Sequence, residues 1–219
     1  MESFGKYEIV TQIGDILGNV AKDIMKENQE VYREWMEDAR NRAVNKANEL
    51  LGDVEEEERK EIEKYIGITC EALTSCFFIP GVVYQEAINN ALKVLVDSDD
   101  SEFLEKYPVI KNSREIDKRI IEITTRMVED GLDIKKSYFS AIKVFFPKKE
   151  QFLAYNKSLL NASIEVQRNQ LYDQLLVEGY EEIKPVMQEI WEGFMECIKD
   201  YGEKYINKLA ELVYGGLGF

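Results

Sequence analysis

The arrangement in this chain most suited to chemistry is a pair of carboxylates one helical turn apart. Glu27–Glu30, Glu34–Glu37, Glu58–Glu61 and Glu189–Glu192 all follow the Glu-x-x-Glu spacing. Residues three apart lie on one side of a helix, and grouped carboxylates can hold Mg²⁺. The activity implied is that of a carboxylate–Mg²⁺ hydrolase of the all-α type. With 42 acidic residues, however, this spacing arises easily by chance. A working site would also sit on a buried or cleft-facing stripe. Glu34–Glu37 flanks Trp35 and Met36, and Glu189–Glu192 flanks Ile190 and Trp191; neither pair clearly shares the apolar side of its helix.

Other catalytic constellations are excluded by what the chain lacks. It contains no histidine. A His general base, Ser-His-Asp and Cys-His arrangements, His-bearing metal sites and Glu-x-x-His di-iron sites all fall with that residue. No Gly-rich loop ending in Gly-Lys-Ser/Thr and no G-x-S-x-G stretch occurs. The three cysteines, Cys70, Cys76 and Cys197, form no CxxC pair and have apolar neighbours. They read as buried, inert thiols of a reducing, cytoplasmic setting and not as a disulfide framework or zinc site. No catalytic residue, metal ligand or cofactor is assigned.

Charge offers a second kind of site. The net charge is −14, which repels phosphate backbones and argues against nucleic acid as a partner. It is not evenly spread. Residues 1–110 carry 24 acids and 12 bases, and residues 150–219 carry 12 acids and 6 bases, whereas residues 111–149 carry 6 acids and 10 bases. Within the basic segment Lys135, Lys136, Tyr138, Lys143, Lys148 and Lys149 are the candidate surface for a partner or an anion, with Phe139, Phe145 and Phe146 interleaved. Basic side chains around aromatics suit a membrane surface or an acidic partner. The plainer alternative is a basic helix pair laid against acidic neighbours of the same chain.

The elements that must position these residues are helices throughout. Apolar residues recur at helical spacing from Tyr7 to Leu51: Ile9, Ile13, Ile16, Val20 and Ile24, then Val31, Trp35, Ala39, Ala43, Ala47 and Leu50. Gly14 and Gly18 are places where this helix can break or kink. Gly52 suits a helix C′ position. Asp53 suits an N-cap, with Glu56 three residues on. Further helices are expected over Glu57–Ile79, Val82–Val96, Ser113–Asp130 (stopped by Gly131), a stretch ended by Pro147, Lys148–Val177, and a last one entered through Pro185. Pro108 should close a short turn opened by Ser101. The acidic stretch from Asp97 departs from the EF-hand pattern and reads as a solvated loop. "MESFGKYEIV" has neither the basic region nor the apolar run of a signal peptide.

The least polar stretch is "YIGITCEALTSCFFIPGVVY", Tyr65–Tyr84, whose only charge is Glu71. Its eight large aliphatic and aromatic residues gain roughly 2.4–4.8 kcal/mol on membrane insertion, and one central carboxylate returns about 2.5–3.5. Gly67, Thr69, Thr74, Ser75, Pro80 and Gly81 add further cost. Pro80 also ends a helix. The stretch is therefore expected to be a helical hairpin buried at the centre of a bundle, with Glu71 on a narrow polar strip beside Thr74 and Ser75. The sequence predicts one all-α domain over residues 1–219, an elongated antiparallel bundle of about six to eight helices. The expected role is a non-enzymatic, protein-binding bundle, possible as a homo-oligomer. The alternatives are a membrane-active bundle that inserts the 62–96 hairpin, and the Mg²⁺ hydrolase above.

Overall fold

The computed structural model describes residues 6–52, 55–77, 108–175 and 183–215. Among these residues the chain is all-α, with six helices and no strand: α1 Lys6–Leu51, α2 Glu56–Phe77, α3 Pro108–Glu129, α4 Ile134–Phe145, α5 Lys149–Leu175 and α6 Lys184–Tyr214. The expected N-cap Asp53, the helix Val82–Val96, the acidic loop from Asp97 and the second limb of the hairpin lie outside the described residues.

Helix ends follow local chemistry. α1 runs unbroken through Gly14 and Gly18 and stops at Gly52, whose φ of +56° is the left-handed conformation that favours glycine. α3 stops at Gly131, φ +88°. There the Gly131 N–H donates to the Val128 carbonyl at 2.9 Å and the Leu132 N–H to the Met127 carbonyl at 3.0 Å, which satisfies two orphan acceptors. Asp133 then caps α4, its carboxylate accepting from the Lys136 N–H at 2.9 Å. One boundary differs from expectation. α3 begins at Pro108, ahead of the expected Ser113, because a proline at the first helical position lacks only a hydrogen bond that no helix makes there; the turn expected from Ser101 lies outside the described residues. Ser113, expected at the helix start, is a buried residue inside α3.

The chain forms two compact units. The described part of the first comprises residues 6–24, 108–163 and 203–215. Its core joins Ile9, Val10 and Ile13 of α1, Ile120 and Ile121 of α3, Tyr138, Ala141 and Ile142 of α4, Phe152 of α5 and Leu209, Ala210 and Val213 of α6. Phe146, just after α4, stacks edge-on to Phe152 with centroids 5.8 Å apart. Its carbonyl accepts the hydroxyl of Tyr214. The expected Phe-Phe-Pro stop thus becomes an aromatic clamp holding the α4–α5 turn on α6.

The described part of the second unit comprises residues 25–52, 55–77, 164–175 and 183–202. Its core joins Tyr32, Met36, Ala43 and Ala47 of α1 to Ile66 and Cys70 of α2 and to Val186, Ile190 and Cys197 of α6. Here the expected stripe is corrected by one position. Val31 and Trp35 are each 37% exposed, while Tyr32 and Met36 are fully buried. Steps of four from Ile24 reach Asn28, Tyr32 and Met36, and steps of three and four then reach Ala39, Ala43 and Ala47, so the buried line remains continuous along the helix. Ala39 is what lets α6 come close. A Cβ added at Gly193 would overlap the Ala39 side chain.

Candidate functional site

Four of the eight paired carboxylates meet arginine. Glu189 accepts from Arg42 Nε at 3.2 Å, and Arg42 also pairs with Asp38. Glu192 takes Arg168 in a two-pronged contact, Nε to Oε1 at 2.9 Å and Nη2 to Oε2 at 2.7 Å. That geometry is the fork pairing that guanidinium groups favour. Glu30 pairs with Arg33 at 2.8 Å and Glu37 with Arg40 at 3.1 Å. Glu58 and Glu61 are exposed on the first turns of α2. Among the described residues no three His, Cys, Asp or Glu side chains gather as a metal site would require.

The basic residues divide. Lys135, Lys136, Lys143 and Lys148 are exposed, and Lys149 is half-buried. Lys135 Nζ lies 5.7 Å from the Phe139 ring centroid and Lys143 Nζ 5.8 Å from that of Tyr214. Tyr138 does not join them. It shares the inward side of α4 with Ala141 and Ile142, one turn further on, and is buried. Burial holds its phenol well above the ordinary range, so it stays neutral. The interleaved aromatic expected at the surface is therefore core. In its place Val144, 63% exposed, and Leu132, 51% exposed, stand among the lysines.

The limb of the hairpin within α2 is packed on one side. Ile66 and Cys70 are buried, while Tyr65 and Ile68 are 62% and 52% exposed. Glu71 and Ser75 are exposed and Thr74 is half-buried, which is the polar strip expected from the sequence. Thr69 and Thr74 donate their hydroxyls to the carbonyls four residues back, at 3.0 and 2.7 Å. This local bonding lets hydroxyl residues sit inside a helix.

Two depressions lie in the second unit along α2. One, of about 530 Å³, is edged by Arg33, Glu34, Glu37, Arg40 and Glu71, with Met36 and Cys70 inside. Burial pushes the Cys70 thiol up to about 11, against the opposing pull of Arg40. The other, of about 590 Å³, is apolar: Ala47, Leu50 and Leu51 of α1, Ile62, Tyr65, Ile66 and Thr69 of α2, and Ile183, Val186 and Met187 at the start of α6. Leu50 is 49% and Ile183 44% exposed at its edge. Sequence reasoning missed this groove. The signal was a surplus: Leu50 and Tyr65 exceed what one packed stripe on each helix can bury.

Tyr32 donates its hydroxyl to Asp200 at 2.9 Å, and burial raises its phenol far above the ordinary value. Cys197 is fully buried, and its thiol is pushed up to about 12, chiefly by burial. No protein-family model matches this sequence, and comparison with curated proteins and with solved structures finds no match.

Proposed function

We propose that this chain is a non-enzymatic binding protein whose groove between α1, α2 and α6 in the second unit receives apolar side chains of a partner protein. The observation that carries this reading is the groove itself, about 590 Å³ in volume, lined almost wholly by apolar side chains and edged by the exposed Leu50, Tyr65 and Ile183. Contiguous exposed apolar surface is costly to keep in water and marks interaction sites in folded proteins. A groove between helices suits the apolar side of an amphipathic helix with anchors one turn apart. Two unbonded, buried thiols favour a reducing compartment such as the cytoplasm.

Hydrolysis with Mg²⁺ is less well supported. Glu30, Glu37, Glu189 and Glu192 already face arginine, and a divalent ion would have to displace those cations. A photo-crosslinking residue at Tyr65 tests the groove directly, with Lys199 as the control position. A partner should crosslink at Tyr65 and not at Lys199, and Leu50→Glu or Ile183→Glu should abolish the product. Equal crosslinking by both substituted chains removes the groove from the reading. A product at twice the chain's mass identifies the partner as a second copy.

A further inference from the structure

We propose that the outward face of α4 is a docking surface for an anionic phospholipid bilayer, independent of the groove. Residues 131–149 hold five lysines and a single acid, Asp133. Asp133 caps the helix, and α4 itself contains no carboxylate. The helix turns Ser137, Tyr138, Ala141 and Ile142 inward. Lys135, Lys136, Lys143 and Val144 are left outward, with Leu132 before them and Lys148 after them. Ammonium groups therefore surround exposed aliphatic carbon, with Val144 63% and Leu132 51% exposed.

The type of cation points to the occupant. Every basic residue of this stretch is lysine. Elsewhere Arg33, Arg40, Arg42 and Arg168 each meet a carboxylate, as do Lys46 and Lys60 one helical turn away. A guanidinium fork matches a partner of set geometry, whereas an ammonium is a point charge that needs none. Point charges around exposed aliphatic groups, on the outward face of one helix, fit a fluid layer of acidic headgroups. The aromatic rings beneath Lys135 and Lys143, centroids 5.7 and 5.8 Å away, support their stems at the surface. The net charge of −14 does not forbid this contact. At physiological salt, charge is screened beyond about 8 Å, so the apposed face decides. The contact is peripheral: among the described residues no helix is long and apolar enough to cross a membrane.

The test is flotation of the full chain with phosphatidylcholine vesicles, with or without about 30 mol% phosphatidylserine. The chain should float with the acidic vesicles alone and release steeply as salt rises. Each lysine near the surface should be worth about fivefold in partitioning, so the quadruple change Lys135→Gln, Lys136→Gln, Lys143→Gln and Lys148→Gln should lower it more than a hundredfold. All four side chains are exposed, and circular dichroism checks that the fold survives. The salt titration of the unaltered chain gives a second readout that needs no substitution. Leu50→Glu should leave flotation unchanged. Equal flotation with neutral vesicles, no flotation with acidic ones, or full flotation of the quadruple variant each overturns the proposal. Absent flotation together with lysine-dependent capture by polyglutamate would assign the face to an acidic protein instead.

Discussion

Asp117 shows how much a single half-buried carboxylate can govern. It lies inside α3, and burial pushes its carboxyl up to about 6, only partly opposed by the Ser113 hydroxyl at 3.5 Å. The unfolded chain titrates near 3.9, so the native state holds this proton more tightly. The stabilising contribution is complete below about pH 4 and is lost as pH rises through about 6. Urea unfolding of the native chain and of Asp117→Asn, from pH 4 to pH 7, should diverge by about 2–3 kcal/mol, the native chain losing ground as pH rises. A constant gap would mean that Asp117 is solvated. The thiols give a second check at this scale. With Cys70 near 11 and Cys197 near 12, thiolate is scarce at neutral pH. Both should resist iodoacetamide in the native state and react promptly in denaturant, read by peptide mass.

Among the elements, α1 and α6 approach closely at Gly193. Gly193 faces Ala39 with no room for another methyl group. Gly193→Ala should cost about 1–3 kcal/mol by forcing the helices apart, less about 1 kcal/mol that alanine regains in a helix. Adding Ala39→Gly to that variant should restore the space and recover part of the loss. If the pair proves additive in urea unfolding, the two residues do not touch. The α4 helix was legible from its sequence to within two residues, because Gly131 and Pro147 act on their immediate neighbours, while the cap at Asp133 was not read. The line along α1 was harder to read. Tyr32 and Trp35 are both large and amphipathic, and only the side taken by Asp200 and Cys197 decides which is buried.

At the scale of the whole molecule the acid surplus matters most. A net charge of −14 repels itself in the compact state. Most arginine–carboxylate pairs here have side chains more than a third exposed, and such pairs contribute about 0–1 kcal/mol each. Screening the repulsion should therefore outweigh weakening the pairs. Scanning calorimetry at neutral pH should find the melting temperature rising by a few degrees as NaCl goes from about 10 mM to 0.2 M. A falling melting temperature would mean that the ion pairs dominate.

The sequence by itself determined the secondary structure class, most described helix ends, the burial of Cys70 and Cys197, the polar strip at Glu71 and the basic stretch around Lys135. Those properties are set by periodicity, capping chemistry and composition, all of which act within a few residues. Only the tertiary structure decided that Tyr138 is core while Val144 is surface, that Glu189 and Glu192 face Arg42 and Arg168, and that Leu50, Tyr65 and Ile183 meet at one groove. Each of these depends on which side of a helix finds a neighbour. That choice is made by residues on different helices, 24 positions apart for Arg168–Glu192 and 147 for Arg42–Glu189, and spacing along the chain does not encode it.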